Sequence, residues 1–250
     1  MSEFGTGAVA FACVFAGTLG GMVIRAALPE HHRTKDTEDA VKLGMGVIAT
    51  MGALVVGLLL ASAKSSFDTK DSEIRHFSAD LILLDRSLVR YGPETKEARE
   101  VLRRFTVFMI DSTWLEEASQ AVDANGWMLL EDVQERVRAL ARANDAQRWL
   151  QARALDISGD LSQTRWLLRV QSGSAIPEPF LLILIFWLTI IFTSFGVFAP
   201  RNATAITALF VCSLSVAGAI FLILEMALPF EGLIHIPSAP MREALTLLNQ

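Results

Sequence analysis

LGMGVIATMGALVVGLLLASA, residues 43–63, decides the fold of this chain. It contains no Asp, Glu, Lys or Arg, and it is bounded by Lys42 and Lys64. A helix of roughly 20 apolar residues, rising about 1.5 Å per residue, matches a hydrocarbon core about 30 Å thick. Three further uncharged stretches of similar length occupy residues 4–24, 180–199 and 203–224. Between the second and third lies a charged insert, residues 64–178. The expectation is an all-α membrane protein with four spans and one helical polar insert.

The division of the chain follows: spans one and two within 1–63, the insert 64–178, spans three and four within 179–228, and a C-terminal strip 229–250. Met1-Ser2-Glu3 is acidic and the first apolar run exceeds a signal core, so this run reads as a retained span. The net charge of −5 is modest, and basic and acidic side chains nearly balance within the insert. No basic surface points to nucleic acid. Cys13 and Cys212 each fall inside a span and read as small apolar packing residues. His31 and His32 are adjacent and form no recognised ligand spacing with Glu30 or Asp36, so no metal site and no cofactor are expected. With no nucleophile motif, P-loop or dinucleotide fingerprint, the chain does not read as an enzyme.

Small residues recur every fourth position in the first two spans: Ala8, Ala12, Ala16 and Gly20, then Ala49, Ala53, Gly57 and Ala61. Such stripes let helix backbones approach closely in lipid. They predict either a tight hairpin of spans one and two or a stripe turned to another subunit. The face of span two opposite its stripe, Val47, Met51, Val55, Leu58 and Ser62, is almost wholly apolar. It suits lipid contact or a dewetting constriction in an oligomeric pore. Span three is bulky and aromatic, bounded by Pro179 and Pro200.

In the insert, Ile74, Phe77, Leu81, Leu84, Leu88 and Tyr91 keep a three-and-four spacing that predicts one helix. Gly92-Pro93 ends it and opens a second, through Ala98, Val101, Phe105 and Phe108. A third is expected through Val133, Val137 and Leu140 towards Leu155. Asn125-Gly126 is read as a break before it and Ser158-Gly159-Asp160 as a break after it. A short fourth helix follows near residues 161–170, and the strip ends in a helix over 241–248.

Glu225 ends span four on the insert side, where Lys64 leaves span two. A carboxylate at that depth needs a partner or water, which suggests a Lys64–Glu225 pair, or else two snorkelling side chains. On the other side Arg25 and Arg201 end spans one and three. In an oligomer they would form a cationic vestibule for anions; otherwise they are an exposed flank.

Several stretches resemble the bacterial bestrophin-like family, a domain of unknown function. They are Arg25-Ala26-Ala27-Leu28-Pro29 with His32, Ala61-Ser62-Ala63-Lys64-Ser65-Ser66-Phe67, Leu84-Asp85-Arg86, and Tyr91-Gly92-Pro93. Phe195-Gly196, Phe198-Ala199-Pro200-Arg201-Asn202-Ala203, Phe221-Leu222-Ile223-Leu224-Glu225 with Pro229-Phe230, Gly232-Leu233-Ile234 and Ser238-Ala239-Pro240 complete the series. One departure is Ala227, where the family pattern carries an acidic residue. The resemblance implies an analogy to bestrophins, pentameric anion channels whose second span lines the pore. It would make Val47, Met51, Val55 and Leu58 pore-lining and place Arg25 in an outer vestibule. It also implies a homo-oligomer in a bacterial inner membrane that passes small anions such as chloride. Lysine and arginine flank the spans on both sides, so the positive-inside bias does not fix an orientation. The large, disulfide-free insert and the resemblance place the N-terminus, insert and C-terminus in the cytoplasm. The competing reading is a non-conducting scaffold whose insert, 64–178, and C-terminal strip bind a protein partner.

Overall fold

A computed structural model of the chain describes residues 3–27, 35–114, 120–170, 178–230 and 232–250. In chain order the helices are α1 (Glu3–Ala27), α2 (Lys35–Tyr91), a 3-10 turn (Pro93–Thr95), α3 (Lys96–Trp114) and α4 (Gln120–Ala139). Then follow α5 (Asp145–Val170), α6 (Glu178–Phe198), α7 (Ala203–Ala227) and α8 (Ala239–Leu248). Among the described residues there is no strand. The chain divides into two compact units, one comprising Met1–Phe67, Ser174–Leu228 and Gly232–Ile234. The other comprises Asp68–Gly173, Pro229–Glu231 and His235–Gln250.

Helix α2 joins span two and the first insert helix into one element of 57 residues. No Gly or Pro interrupts residues 64–73, so nothing in the chain stops the helix where its apolar run ends. An ion pair one turn apart supports it just beyond: Arg75 Nε donates to Asp71 at 2.9 Å.

The first unit holds the apolar part of α2 together with α1, α6 and α7, four helices long and apolar enough to cross a membrane. Its core is Ala10, Val14, Leu184, Leu188, Ile191, Phe192 and Ile220, with Ile48, Val56 and Leu59 of α2 packed against it. The expected hairpin of spans one and two is corrected, because α1 lies along α6 and also meets α7. Phe11 and Phe15 of α1 meet the Phe210 ring edge-on. Glycine makes the α1–α6 contact possible. A Cβ at Gly21 would lie 2.0 Å from the Thr193 carbonyl oxygen, and one at Gly196 would lie 2.0 Å from the Thr18 carbonyl oxygen.

Within the chain, α1 packs through Gly7, Ala10, Val14, Gly17 and Gly21, which leaves the expected stripe on an open face where another subunit could meet it. Ala8, Ala12 and Ala16 do not belong to the core, and a Cβ at Gly20 would meet nothing within 4 Å. On α2, Ala53, Gly57 and Ala61 are exposed too, and only Ala49 of that stripe is half-buried against the core. An alanine methyl holds two backbones apart where glycine does not, so facing glycines win the closest approach. Cys13 and Cys212 are exposed free thiols rather than packing residues.

In the second unit the seam of α2 forms the core as its spacing predicts. Ile74, Phe77, Leu81, Leu84, Leu88 and Tyr91 are all buried, joined by Val101, Leu102 and Phe105 of α3 and by Val133 and Val137 of α4. Phe77 and Phe105 pack at 6.1 Å between ring centres. Two expected breaks are corrected. Asn125-Gly126 lies inside α4, and Ser158-Gly159-Asp160 lies inside α5. A single helical glycine costs about 1 kcal/mol, which tertiary packing offsets.

The real break separates α4 from α5, within what the spacing reads as one helix. Gln151 Nε2 donates to the carbonyls of Val137, Arg138 and Leu140 at 2.7, 3.2 and 3.3 Å, closing the end of α4. Asn144 Oδ1 accepts the Gln147 amide at 2.8 Å and starts α5. Asn144-x-x-Gln147 has the capping-box spacing, a signal the apolar periodicity concealed.

The C-terminal strip belongs to this unit from His235 onward. Trp114 Nε1 donates to the Ile236 carbonyl at 2.8 Å, and Met241, Ala244 and Leu248 of α8 are buried. Helix α8 packs on α3.

Candidate functional site

The apolar run of α2 has the least cover within the chain of the four candidate spans. Only 6% of its most apolar window is buried, against 28%, 28% and 22% for α1, α6 and α7. Val47, Met51 and Leu58 are 59%, 54% and 71% exposed, and Ser62 is exposed as well. Val55 departs from this set, being half-buried against the α6–α7 core. A long apolar face left open by its own chain must be covered by lipid or by other protein.

At the α1 and α6 C-termini the two arginines perform a definite task. Arg25 Nη1 donates to the Ala199 carbonyl at 2.5 Å, and Arg201 Nη2 donates to the Met22 carbonyl. The Ala199 carbonyl, just past the end of α6, thus gains a cation from the end of α1, and Arg201 adds a second donor to the Met22 carbonyl in the last turns of α1. The guanidinium charge also complements the negative end of the helix dipole. Arg25 and Arg201 therefore stand close together at one end of this unit, with donors left over for other acceptors.

At the other end, Glu225 is 3% exposed, and its carboxylate is held by donors that charge pairing with Lys64 did not anticipate. It accepts the backbone amides of Leu233 and Ile234 at 2.7 and 3.1 Å. The turn that delivers those amides begins at Gly232, whose φ of +79° favours glycine; a Cβ there would lie 2.6 Å from Glu225 Oε2. Lys64 places its Nζ 5.6 Å from the Phe67 ring centre. Backbone N–H groups aimed at a buried carboxylate offset much of its lost hydration. Glu225 is therefore the anchor of the segment that leaves span four.

The polar unit contains three further clusters. Asp85, 2% exposed, accepts from Arg99 Nε at 2.6 Å and Nη2 at 3.3 Å, tying α2 to α3. Arg165 is buried with its guanidinium 5.2 Å from the Trp127 ring centre and 5.8 and 5.9 Å from those of Phe105 and Phe108. Burial lowers its pKa from the usual arginine value, and the ring faces compensate part of the lost hydration. Nothing in the apolar spacing singles out this arginine.

On α2, burial raises the Asp80 carboxyl above its ordinary pKa. Asp160 adds to the shift, and His76 and Arg153 oppose it. A carboxyl raised in the folded state contributes stability below the ordinary carboxylate pKa, and that contribution is lost as pH rises through the raised value. Asp80→Asn is expected to raise the thermal midpoint at neutral pH, with the gain over wild type shrinking as pH falls through the carboxylate range. Paired melting curves of the two proteins check this, and a gain independent of pH would contradict it.

Among the described residues no group of three or more His, Cys, Asp or Glu side chains could hold a metal ion. His31 and His32 lie outside the described residues.

A family model described as the bestrophin-like domain matches residues 12–241. No curated protein matches the sequence. Among solved structures, a bacterial bestrophin homologue from Klebsiella pneumoniae, crystallised as a point variant, is similar over 96% of this chain and 99% of its own. The TM-score is 0.60 at 14% sequence identity, a likeness of fold. Four apolar helices, the helical polar unit and a family match over most of the length agree: the chain belongs to the bestrophin-like domain family and is a membrane protein with the bestrophin fold.

Proposed function

We propose that the protein is a homo-oligomeric channel for small anions, with α2 facing the central axis. The observation that carries this reading is the open apolar face of α2 at Val47, Met51 and Leu58. In a ring of copies, that face becomes a narrow apolar constriction of the kind that gates by dewetting. Arg25 and Arg201 would supply a cationic mouth, although both also have carbonyl partners inside the chain. The exposed stripe Ala53, Gly57 and Ala61 suits close approach to a neighbouring copy, and the family analogy suggests five copies. The bacterial inner membrane, with the polar unit in the cytoplasm, fits this arrangement.

The scaffold alternative loses its main supports. The apolar seam of α2 is consumed in the core of the polar unit, and the C-terminal strip buries Ile236, Met241, Ala244 and Leu248.

Chloride efflux from proteoliposomes tests the proposal. Purified protein is expected to conduct above empty vesicles, and Met51→Ser with Leu58→Ser is expected to raise the flux by about tenfold by wetting the constriction. No flux in any of several salts, from wild type and variant alike, would overturn it. A protein that runs as a monomer in mild detergent would count equally against it.

A further inference from the structure

A groove of about 500 Å³ lies in the membrane unit between the first turns of the α2 run, the end of α6 and the start of α7. Its walls include Gly46, Phe195, Phe198, Ala205 and Ala208, and Lys42 is the charged residue among those described that line it. That volume falls in the range of small-ligand sites. Small residues on its α2 and α7 walls leave space between them: a Cβ at Gly46 would meet nothing within 4 Å.

We infer that this groove holds one acyl chain of an anionic phospholipid, with the headgroup phosphate on Lys42. Three observations specify the occupant. Lys42 is the last charged residue before the uncharged run 43–63, so the rim lies where a span meets the headgroups. Its ammonium is exposed, and its 2.6 Å pair with Glu38 uses one of three donors, leaving two for a phosphate. The start of α7, capped by Asn202, puts the positive end of one helix dipole at the same rim, where the negative end of α6 already has Arg25 on the Ala199 carbonyl.

Below the rim, small residues and two phenylalanine rings suit a flexible hydrocarbon tail. Within a bilayer the tail gains no hydrophobic energy by entering the groove. The stabilisation comes from filling a void whose walls would otherwise lack contacts, and selectivity comes from the charge at Lys42.

Native mass spectrometry of the purified, delipidated protein with added phosphatidylglycerol or phosphatidylcholine tests the inference. Wild type is expected to retain one phosphatidylglycerol per chain in preference to phosphatidylcholine. Lys42→Gln should reduce that preference roughly threefold, the scale of an exposed ion pair. Filling the groove from either wall, by Gly46→Phe or Ala208→Phe, should lower retention of both lipids by at least about tenfold. Melting curves identify any variant that fails to fold, and the Lys42→Gln result stands independently of both. Unchanged retention in a folded, groove-filled variant would overturn the site, and so would equal retention of the two lipids by wild type. Efficient disulfide linkage between copies through Gly46→Cys, in a chain lacking Cys13 and Cys212, would assign the groove to a second copy and overturn it too. None of these outcomes depends on ion conduction.

Discussion

Gly196→Ala and Gly21→Ala are each expected to lower the stability of the membrane unit by about 3 kcal/mol, a fall of roughly 6–12 °C in thermal midpoint for a chain of this size. The geometry explains the size of the effect. At both positions the added methyl carbon would sit 2.0 Å from a carbonyl oxygen of the facing helix, and at Gly196 it would also lie 3.2 Å from Gly21 Cα. Backbone atoms within a helix cannot rotate aside as a side chain can, so α1 and α6 must separate. Separation withdraws α1 from the core it shares with Leu184, Leu188 and Ile191. It also pulls Arg25 and Arg201 from their carbonyl acceptors across the helix pair.

Gly20→Ala and Gly218→Ala are the controls, because a Cβ at either position meets nothing within 4 Å. They share the chemistry of the substitution but not the contact. Melting curves in one detergent, with far-ultraviolet circular dichroism, would measure all four. Equal effects across the set would show that general helix propensity, and not the crossing of α1 on α6, governs the result.

Asp85→Ala is expected to cost the polar unit about 2–3 kcal/mol. The carboxylate is almost fully buried and accepts two bonds from Arg99, whose own side chain is 28% exposed. Removing the acid leaves a guanidinium that can reach water only in part, so the penalty falls somewhat below that of a fully buried pair. Arg99→Ala strands the carboxylate instead and should cost at least as much, since Asp85 is the more deeply buried partner.

A volume-matched apolar replacement of both, Asp85→Leu with Arg99→Met, is expected to recover most of the loss. Exchanging a buried pair for packed hydrocarbon is often close to neutral. Chemical denaturation followed by near-ultraviolet signals from the tryptophans would report it. A double variant no better than the sum of its parts would mean that the pair holds α2 and α3 in place by geometry that apolar packing cannot reproduce.

Four spans, an all-α architecture and the seam from Ile74 to Tyr91 were legible in the residues alone, because each rests on local chemistry. Uncharged runs of sufficient length have one stable solution in a bilayer, and a three-and-four spacing has one stable solution in water. Gly92-Pro93 was equally legible: the turn at Pro93–Thr95 is built on it, with Thr95 Oγ1 2.8 Å from both the Leu88 and Gly92 carbonyls, which share its one proton. The family resemblance marked Leu84-Asp85-Arg86 without a reason, and the Asp85–Arg99 pair supplies one.

What the residues could not determine was which face of α1 would meet α6. Periodicity ranks faces of a single helix, and the choice depended on Gly196, far along the chain from Gly21. The amides on Glu225 were hidden for the same reason. Charge suggested Lys64, whereas the segment after span four folds back and presents two backbone N–H groups to the carboxylate. Local periodicity and length are properties of a segment and can be read from it. Close approach and the satisfaction of a buried charge belong to pairs of segments, so only the folded chain decides them.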